Sequence, residues 1–143
     1  ELVGTIRTFN NDTRDMVVAR MKAIVDGIAR SMGCRAEVNV LFHNAATVNT
    51  ADGIAIARRA AARVVGEENV DTDFPPNMGG EDFGAYLRQK PGAFVIIGQG
   101  VADKDSPHNK GLHHPGYDFN DDMIPVAASY FAALVDEYLP LKG

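Results

Sequence analysis

Hydrophobic and polar positions follow two different periods along this chain, and each period predicts a different element. In residues 2–9, "LVGTIRTF", β-branched and aromatic side chains predominate, which predicts a strand. Asn10, Asn11, Asp12 and Thr13 then read as a turn and helix cap. From 15 to 32 the apolar residues Val17, Met21, Ile24, Val25, Ile28 and Met32 recur at three- and four-residue steps. That spacing predicts an amphipathic helix, with Gly33 suited to the position just past its end. "AEVNVLF" at 36–42 sets Ala36, Val38, Val40 and Phe42 on one strand face and Glu37 and Asn39 on the other. Residues 1–42 therefore predict strand–helix–strand with a half-exposed sheet.

The pattern changes after residue 42. "HNAATVNTADG" at 43–53 holds few core-forming residues and ends in capping ones. A second helix is predicted to run to Val65, with Ile54, Ala57, Ala61, Val64 and Val65 facing inward and Gly66 closing it. "VDTDF" at 70–74 reads as a short strand, and 75–92 as a Pro/Gly-rich loop leading into a brief helix. "AFVIIG" at 93–98 is a continuous apolar run, the pattern of a strand buried on both faces in a parallel sheet. A loop of roughly twenty residues follows, longer than most connections in compact domains and so expected to be functional. The last predicted helix starts at Asp121 or Asp122 and buries Ile124, Ala128, Phe131, Leu134 and Val135. No internal repeat is present. The fold class expected is α/β, with a boundary near 43–48 where one sheet style gives way to the other. Neither piece looks complete, because a two-stranded sheet with one helix is marginal alone.

Composition narrows the picture modestly. The 143 residues are 45% hydrophobic and 23% charged, with a net charge of −5 and scattered Lys and Arg. That gives no electrostatic footprint for nucleic acid. The longest apolar runs fall far short of the ~20 residues that span a bilayer, so no membrane partner is expected. Cys34 is the single cysteine, which excludes a disulfide framework within the chain and favours a reducing compartment, the cytoplasm. Glu1 stands where a start methionine would, so sequence upstream is expected.

The chemistry-bearing groups gather in two loops. Ligands of open α/β sheets bind beyond the carboxyl ends of the strands. The loop after "AFVIIG" lies there, and it carries Asp105, His108, His113, His114 and Asp118. A neutral imidazole is a common ligand for zinc and similar ions, and Pro115 would stiffen the backbone beside it. Solvated loop histidines are the competing reading. In "MGGEDF" at 78–83, Gly79 and Gly80 permit backbone geometry that a Cβ would block, and Glu81 and Asp82 open a helix. Carboxylates favour a helix N-terminus on their own account. The functional reading has one of them orient a metal-bound imidazole. Arg7 reads either as a solvated strand residue or as a bidentate anchor for a substrate carboxylate. Asn49 reads either as a helix cap or as an amide that reaches a substrate. No Ser/His/Asp or Cys/His arrangement emerges.

Taken in order, "GTIRTF", "ATVNT", "MGGEDF", "PGAFVIIGQG" and "LHHPGYDFND" resemble the M20 metallopeptidase family, in the branch of amidohydrolases that cleave N-acyl amino acids, hippurate among them. The resemblance covers essentially the whole chain. It implies a zinc-peptidase α/β catalytic domain interrupted by a smaller α+β lid that dimerises. Residues 1–42 would be the second half of that lid, and residues 43–143 the C-terminal part of the catalytic domain. His113 matches the family's last metal ligand, with His114 as its neighbour. Glu81 and Asp82 match the acidic pair that faces the metal site. Arg7 and Asn49 match substrate-binding positions, Arg7 toward the substrate carboxylate. The family's other ligands, a Cys-x-His pair, a Glu-Glu pair that includes the general base and a middle His, are expected upstream, so no catalytic residue is assigned within this chain. Where the family usually has a proline-rich run before "TVN", this chain has "HNAATVN". The implied cofactors are two divalent ions, zinc or manganese. The implied partners are a small N-acyl amino acid, a second copy through the lid, and the remainder of its own chain. A non-catalytic dimerisation or ligand-binding module of the same fold is the alternative.

Overall fold

Local sequence signals decide where the helices begin and end. The computed structural model describes residues 1–139. Its α-helices are α1 (Asn11–Ser31), α2 (Ala51–Val65), α3 (Gly84–Leu87) and α4 (Met123–Tyr138), with single 3-10 turns at Glu67–Asn69 and Pro107–Asn109. At the start of α1 the Asn10 side chain accepts from the Thr13 amide at 2.8 Å, which satisfies one of the unpaired donors of a first turn. At its end Gly33 takes a left-handed φ of 68°. The Cys34 amide then reaches the Ala29 carbonyl at 2.8 Å and the Gly33 amide reaches Arg30 at 3.1 Å, the paired bonds of a Schellman cap. Thr50 caps α2 through its hydroxyl, and Gly66 closes that helix with φ 85°. The C-terminal boundaries of α1 and α2 sit where the hydrophobic period stops.

The chain divides into two compact units, Glu1–Val48 with Pro75–Lys90 and Asn49–Phe74 with Pro91–Gly143. In the first unit the Arg14 guanidinium lies 4.8 Å from the centre of the Phe42 ring, a cation–π contact between α1 and the segment after it. In the second, α2 packs on α4 around Ala60, Tyr130 and Ala133, with Ala61, Val64 and Leu134 at the margin. Ala60 is fully enclosed, at 0% exposure. Small residues on α2 let the two helices approach closely, and the Tyr130 ring fills the space. Arg59 and Arg63 of α2 bind Glu137 at the rim, Arg59 at 2.8 Å, and Arg63 also reaches Asp136.

Two sequence expectations are not met among the described residues. Among the described residues no strand forms: 2–9, 36–42, 70–74 and 93–98 run without helix or ladder. A strand exists only when its backbone groups find a neighbouring strand ~4.8 Å away, so β-branched sequence does not make one by itself. Ile96, expected inside a two-sided sheet, is 66% exposed. The second correction is the buried face of α4. Ile124, Ala128, Phe131 and Val135 are expected inside, yet they lie exposed, Phe131 at 63%, while Tyr130 and Ala133 are buried; on α2 Ile54, also expected inside, is exposed. Helix α4 is apolar nearly all round, so its period does not choose a face and the packing against α2 does.

Candidate functional site

The candidate residues fall into two groups, one in each compact unit. In the first unit Arg7 is brought to the 78–82 loop. Its Nη1 donates to the Met78 carbonyl. The guanidinium lies over Gly80, where an added Cβ would stand 3.4 Å from Nη2. The glycine therefore gives the planar group room against the backbone. Next in the chain, Glu81 folds back on its own segment. One carboxylate oxygen accepts from the Asp82 amide at 2.8 Å and from the Phe83 amide at 2.9 Å, at the entrance to α3. The Phe83 amide holds the Glu81 carboxyl below its ordinary range, against an upward push from burial, and bonds with the Asp82 side chain and amide add to the lowering. Glu81 is thus an ionised carboxylate that organises the turn. The Gly84 position is tight: a Cβ there would come 2.7 Å from the Ala46 carbonyl oxygen.

In the second unit Asn49 lies just before the α2 cap, which is Thr50 rather than Asn49. Its carboxamide pairs with the backbone of Phe94 at both atoms, donating to the carbonyl at 2.9 Å and accepting from the amide at 2.7 Å. Thr50 continues the pairing on Gly92, with its amide at 3.0 Å and its hydroxyl at 3.1 Å from the carbonyl. Asn49 and Thr50 together fasten the start of α2 to the 92–94 segment. One amide hydrogen of Asn49 is engaged in this pairing.

The histidine loop shows the sharpest division of labour. His114 is engaged within its own turn: its Nδ1 accepts from the Gly116 amide at 2.9 Å, which puts the ring proton on Nε2. His113 is the one non-glycine residue with positive φ among the described residues, at 69°. That conformation costs on the order of 1 kcal/mol and is enriched at ligand clamps and active sites. Among the described residues the His113 ring has no hydrogen-bond partner, and the residue is exposed. His108 is engaged further down: its Nδ1 lies 3.1 Å from the Asp118 carbonyl, which can only accept, so this nitrogen carries the proton.

Sequence reasoning missed the residues that hold this loop. The half-buried Gln99 donates from Nε2 to the His108 carbonyl at 3.0 Å and to the Asp118 carbonyl at 3.1 Å. Its Oε1 accepts from the Tyr117 hydroxyl at 3.1 Å and from the Asn120 amide at 3.3 Å. The Asn120 side chain, in a residue only 6% exposed, returns a bond to the Gln99 carbonyl at 3.2 Å. Asn109 ties the same loop to Val101 and Asp103. The available signal was a set of carboxamides at the ends of a long loop, with Gln99 set between Gly98 and Gly100.

No three His, Cys, Asp or Glu side chains cluster closely enough to hold a metal ion among the described residues. His113 suits one donor position: an exposed imidazole on a stiffened turn, beside Pro115 after His114. None of the described helices is long and apolar enough to cross a membrane.

Comparison with known proteins places the chain in a family. A family described as peptidase family M20/M25/M40 matches residues 4–137. The chain is 33% identical to N-acetylcysteine deacetylase of Bacillus subtilis over 134 residues, covering 94% of this chain and 33% of that protein. Hippurate hydrolase of Campylobacter jejuni is 28% identical over 135 residues, again 94% of this chain and 33% of the relative. N-acetyldiaminopimelate deacetylase of Streptococcus thermophilus is 30% identical over 130 residues, 90% of this chain and 32% of the relative. The chain spans about a third of the length of these curated relatives. No solved structure matches it.

Proposed function

The chain belongs to peptidase family M20/M25/M40, and on that footing we propose that it is the C-terminal portion of an amidohydrolase that cleaves the amide bond of N-acyl amino acids. The relatives named above are deacetylases and a hydrolase of such compounds, which supports the substrate class. In this reading residues 1–42 complete an α+β lid through which two copies pair, and residues 43–143 complete an α/β catalytic domain. The segments 2–9, 36–42 and 93–98 become strands when the rest of the protein supplies their neighbours. The exposed Ile96 is one side chain such a sheet would cover.

His113 is the chain's metal ligand, and one observation carries that role: its backbone is held at φ 69° and the residue is exposed, while His114 beside it is engaged within the turn. Two divalent ions, zinc or manganese, would supply an activated water and polarise the scissile carbonyl when bound. The chain's own residues do the rest of what is assigned here. Arg7 takes the substrate carboxylate with its planar fork, and Asn49 offers its second amide hydrogen to the substrate. Glu81 and Asp82 are the carboxylates assigned here to the acidic pair that would serve the metal site of the intact protein. The general base comes from the rest of the protein, and residues 1–143 alone are expected to show no turnover.

The test uses the intact protein. His113→Ala is expected to lower metal content and hydrolysis of N-acetyl amino acids or hippurate steeply, and His114→Ala to do much less. The reverse ranking, with metal analysis and kinetics read together, would move the ligand by one residue. Equal, small effects would remove the metal role from this loop.

A further inference from the structure

We infer that Gln99 is a positioning residue that clamps the base of the His113 loop, setting where the His113 imidazole is presented. The inference rests on His113 being a ligand, as proposed above. Its own ground is the bonding around one side chain. The excursion from His108 to Asp118 has His113 near its tip, and both legs converge on the Gln99 carboxamide. The two Nε2 hydrogens go to one carbonyl on each leg, at 3.0 Å and 3.1 Å. The two lone pairs of Oε1 go to the Tyr117 hydroxyl and the Asn120 amide, both on the returning leg. Every hydrogen-bonding position of that amide is therefore filled.

Three further contacts make the clamp stiff. His108 Nδ1 binds the same Asp118 carbonyl at 3.1 Å, so that oxygen joins the legs twice. The buried Asn120 side chain closes a ring back onto the Gln99 backbone at 3.2 Å. Gly100 admits Asn109, since an added Cβ would fall 2.9 Å from the Asn109 Oδ1. A half-buried carboxamide with all four positions engaged holds one orientation, because any rotation leaves a donor or acceptor without a partner. A glutamate of the same shape cannot do this: the oxygen in place of Nε2 would face two carbonyl oxygens with no hydrogen between them. The legs would part, and the histidine at the tip would lose its fixed position. The His113 backbone already holds an unfavourable conformation, so it has little reason to stay there once its base loosens.

The experiment compares Gln99→Glu, Tyr117→Phe and His113→Ala in the intact protein, with the affinity for Zn²⁺ and Mn²⁺ titrated into the metal-free form as the first readout. The second is the thermal midpoint of the metal-free protein, and the third is the visible spectrum with Co²⁺, which reports ligand geometry. Gln99→Glu is expected to weaken metal binding roughly 10- to 100-fold, the range for residues that orient a ligand. It should alter the Co²⁺ spectrum and shift the metal-free midpoint by only a few degrees. Tyr117→Phe, which removes a single bond to Gln99, should act in the same direction by a few-fold. It carries the comparison if Gln99→Glu does not fold. Unchanged affinity and spectrum in the Gln99 and Tyr117 variants, with metal lost in His113→Ala, would overturn the clamp while leaving the ligand in place. Unchanged metal binding in His113→Ala would overturn the ligand reading and the clamp with it.

Discussion

Helices α1 and α2 are both amphipathic by sequence, yet they end up in opposite circumstances. α2 presents Ala60, Ala61 and Val64 to α4 and closes around Tyr130 and Ala133, with Arg59 and Arg63 paired to acidic groups at the rim. α1 is the longer helix and carries larger apolar residues, but Ile24 is 53% exposed, and Met16, Ile28 and Met32 are exposed with it. The comparison teaches that the apolar content of a helix does not measure its contribution to the core. Alanines that let a partner approach remove more surface from water than isoleucines that nothing covers. The exposed apolar residues of α1 are joined by the exposed Leu2 and Leu41 on the segments flanking it.

Substitutions can break this contrast in a graded way, read as shifts in the urea unfolding midpoint of the chain. Tyr130→Ala should have the largest effect, a loss of about 3 kcal/mol, because it empties the centre of the α2–α4 contact. Truncating Ile24 on α1 should stay within about 0.5 kcal/mol in the same assay. Equal losses at the two sites would erase the distinction between the helices.

Gly53→Ala comes next and runs against ordinary helix propensity. Alanine is the better helix former, but a Cβ at position 53 would lie 2.3 Å from the Gly92 carbonyl carbon, a backbone atom that cannot swing aside. A loss of about 2 kcal/mol is expected. The matching change on α1 should have the opposite sign. Gly27 has nothing within 4 Å of its missing Cβ. Gly27→Ala should therefore stabilise by about 1 kcal/mol, the plain propensity difference. In the intact protein that gain should shrink or reverse if another element covers the α1 face, so the two measurements together sharpen the comparison.

The smallest effect is electrostatic. Hydrogen bonding from Arg59 depresses the Glu137 carboxyl against an upward push from burial, and Arg63 adds to the lowering. A group with a depressed folded-state pKa stabilises above its unfolded value and loses that contribution as pH falls through the folded one. Glu137→Gln should thus lower stability slightly at neutral pH, less so in high salt, and converge with the parent chain in acid. A difference that persists unchanged below the carboxylate range would show that the residue acts through packing instead. Burial raises the Tyr130 phenol in the same helix pair, so a second loss belongs at alkaline pH, above the ordinary phenol range.

What could be read from sequence was whatever depends on residues a few positions apart. Asn10 and Gly33 mark the ends of α1, and Gly66 marks the end of α2, because caps form with amides and carbonyls one turn away. The histidine loop was legible too, by its length and its side chains. What tertiary structure decided involves partners far along the chain. Period alone did not choose between the faces of α4, and contact with α2, 78 residues earlier at the Arg59–Glu137 pair, made the choice. Arg7 meets Met78 across 71 residues, and Asn49 pairs with Phe94 across 45. Gln99 became visible only when both legs of its loop were seen on one amide. The strands mark the limit of local reading most clearly. A helix completes its hydrogen bonds within itself, whereas a strand requires a second strand, and no pattern within one segment can supply it.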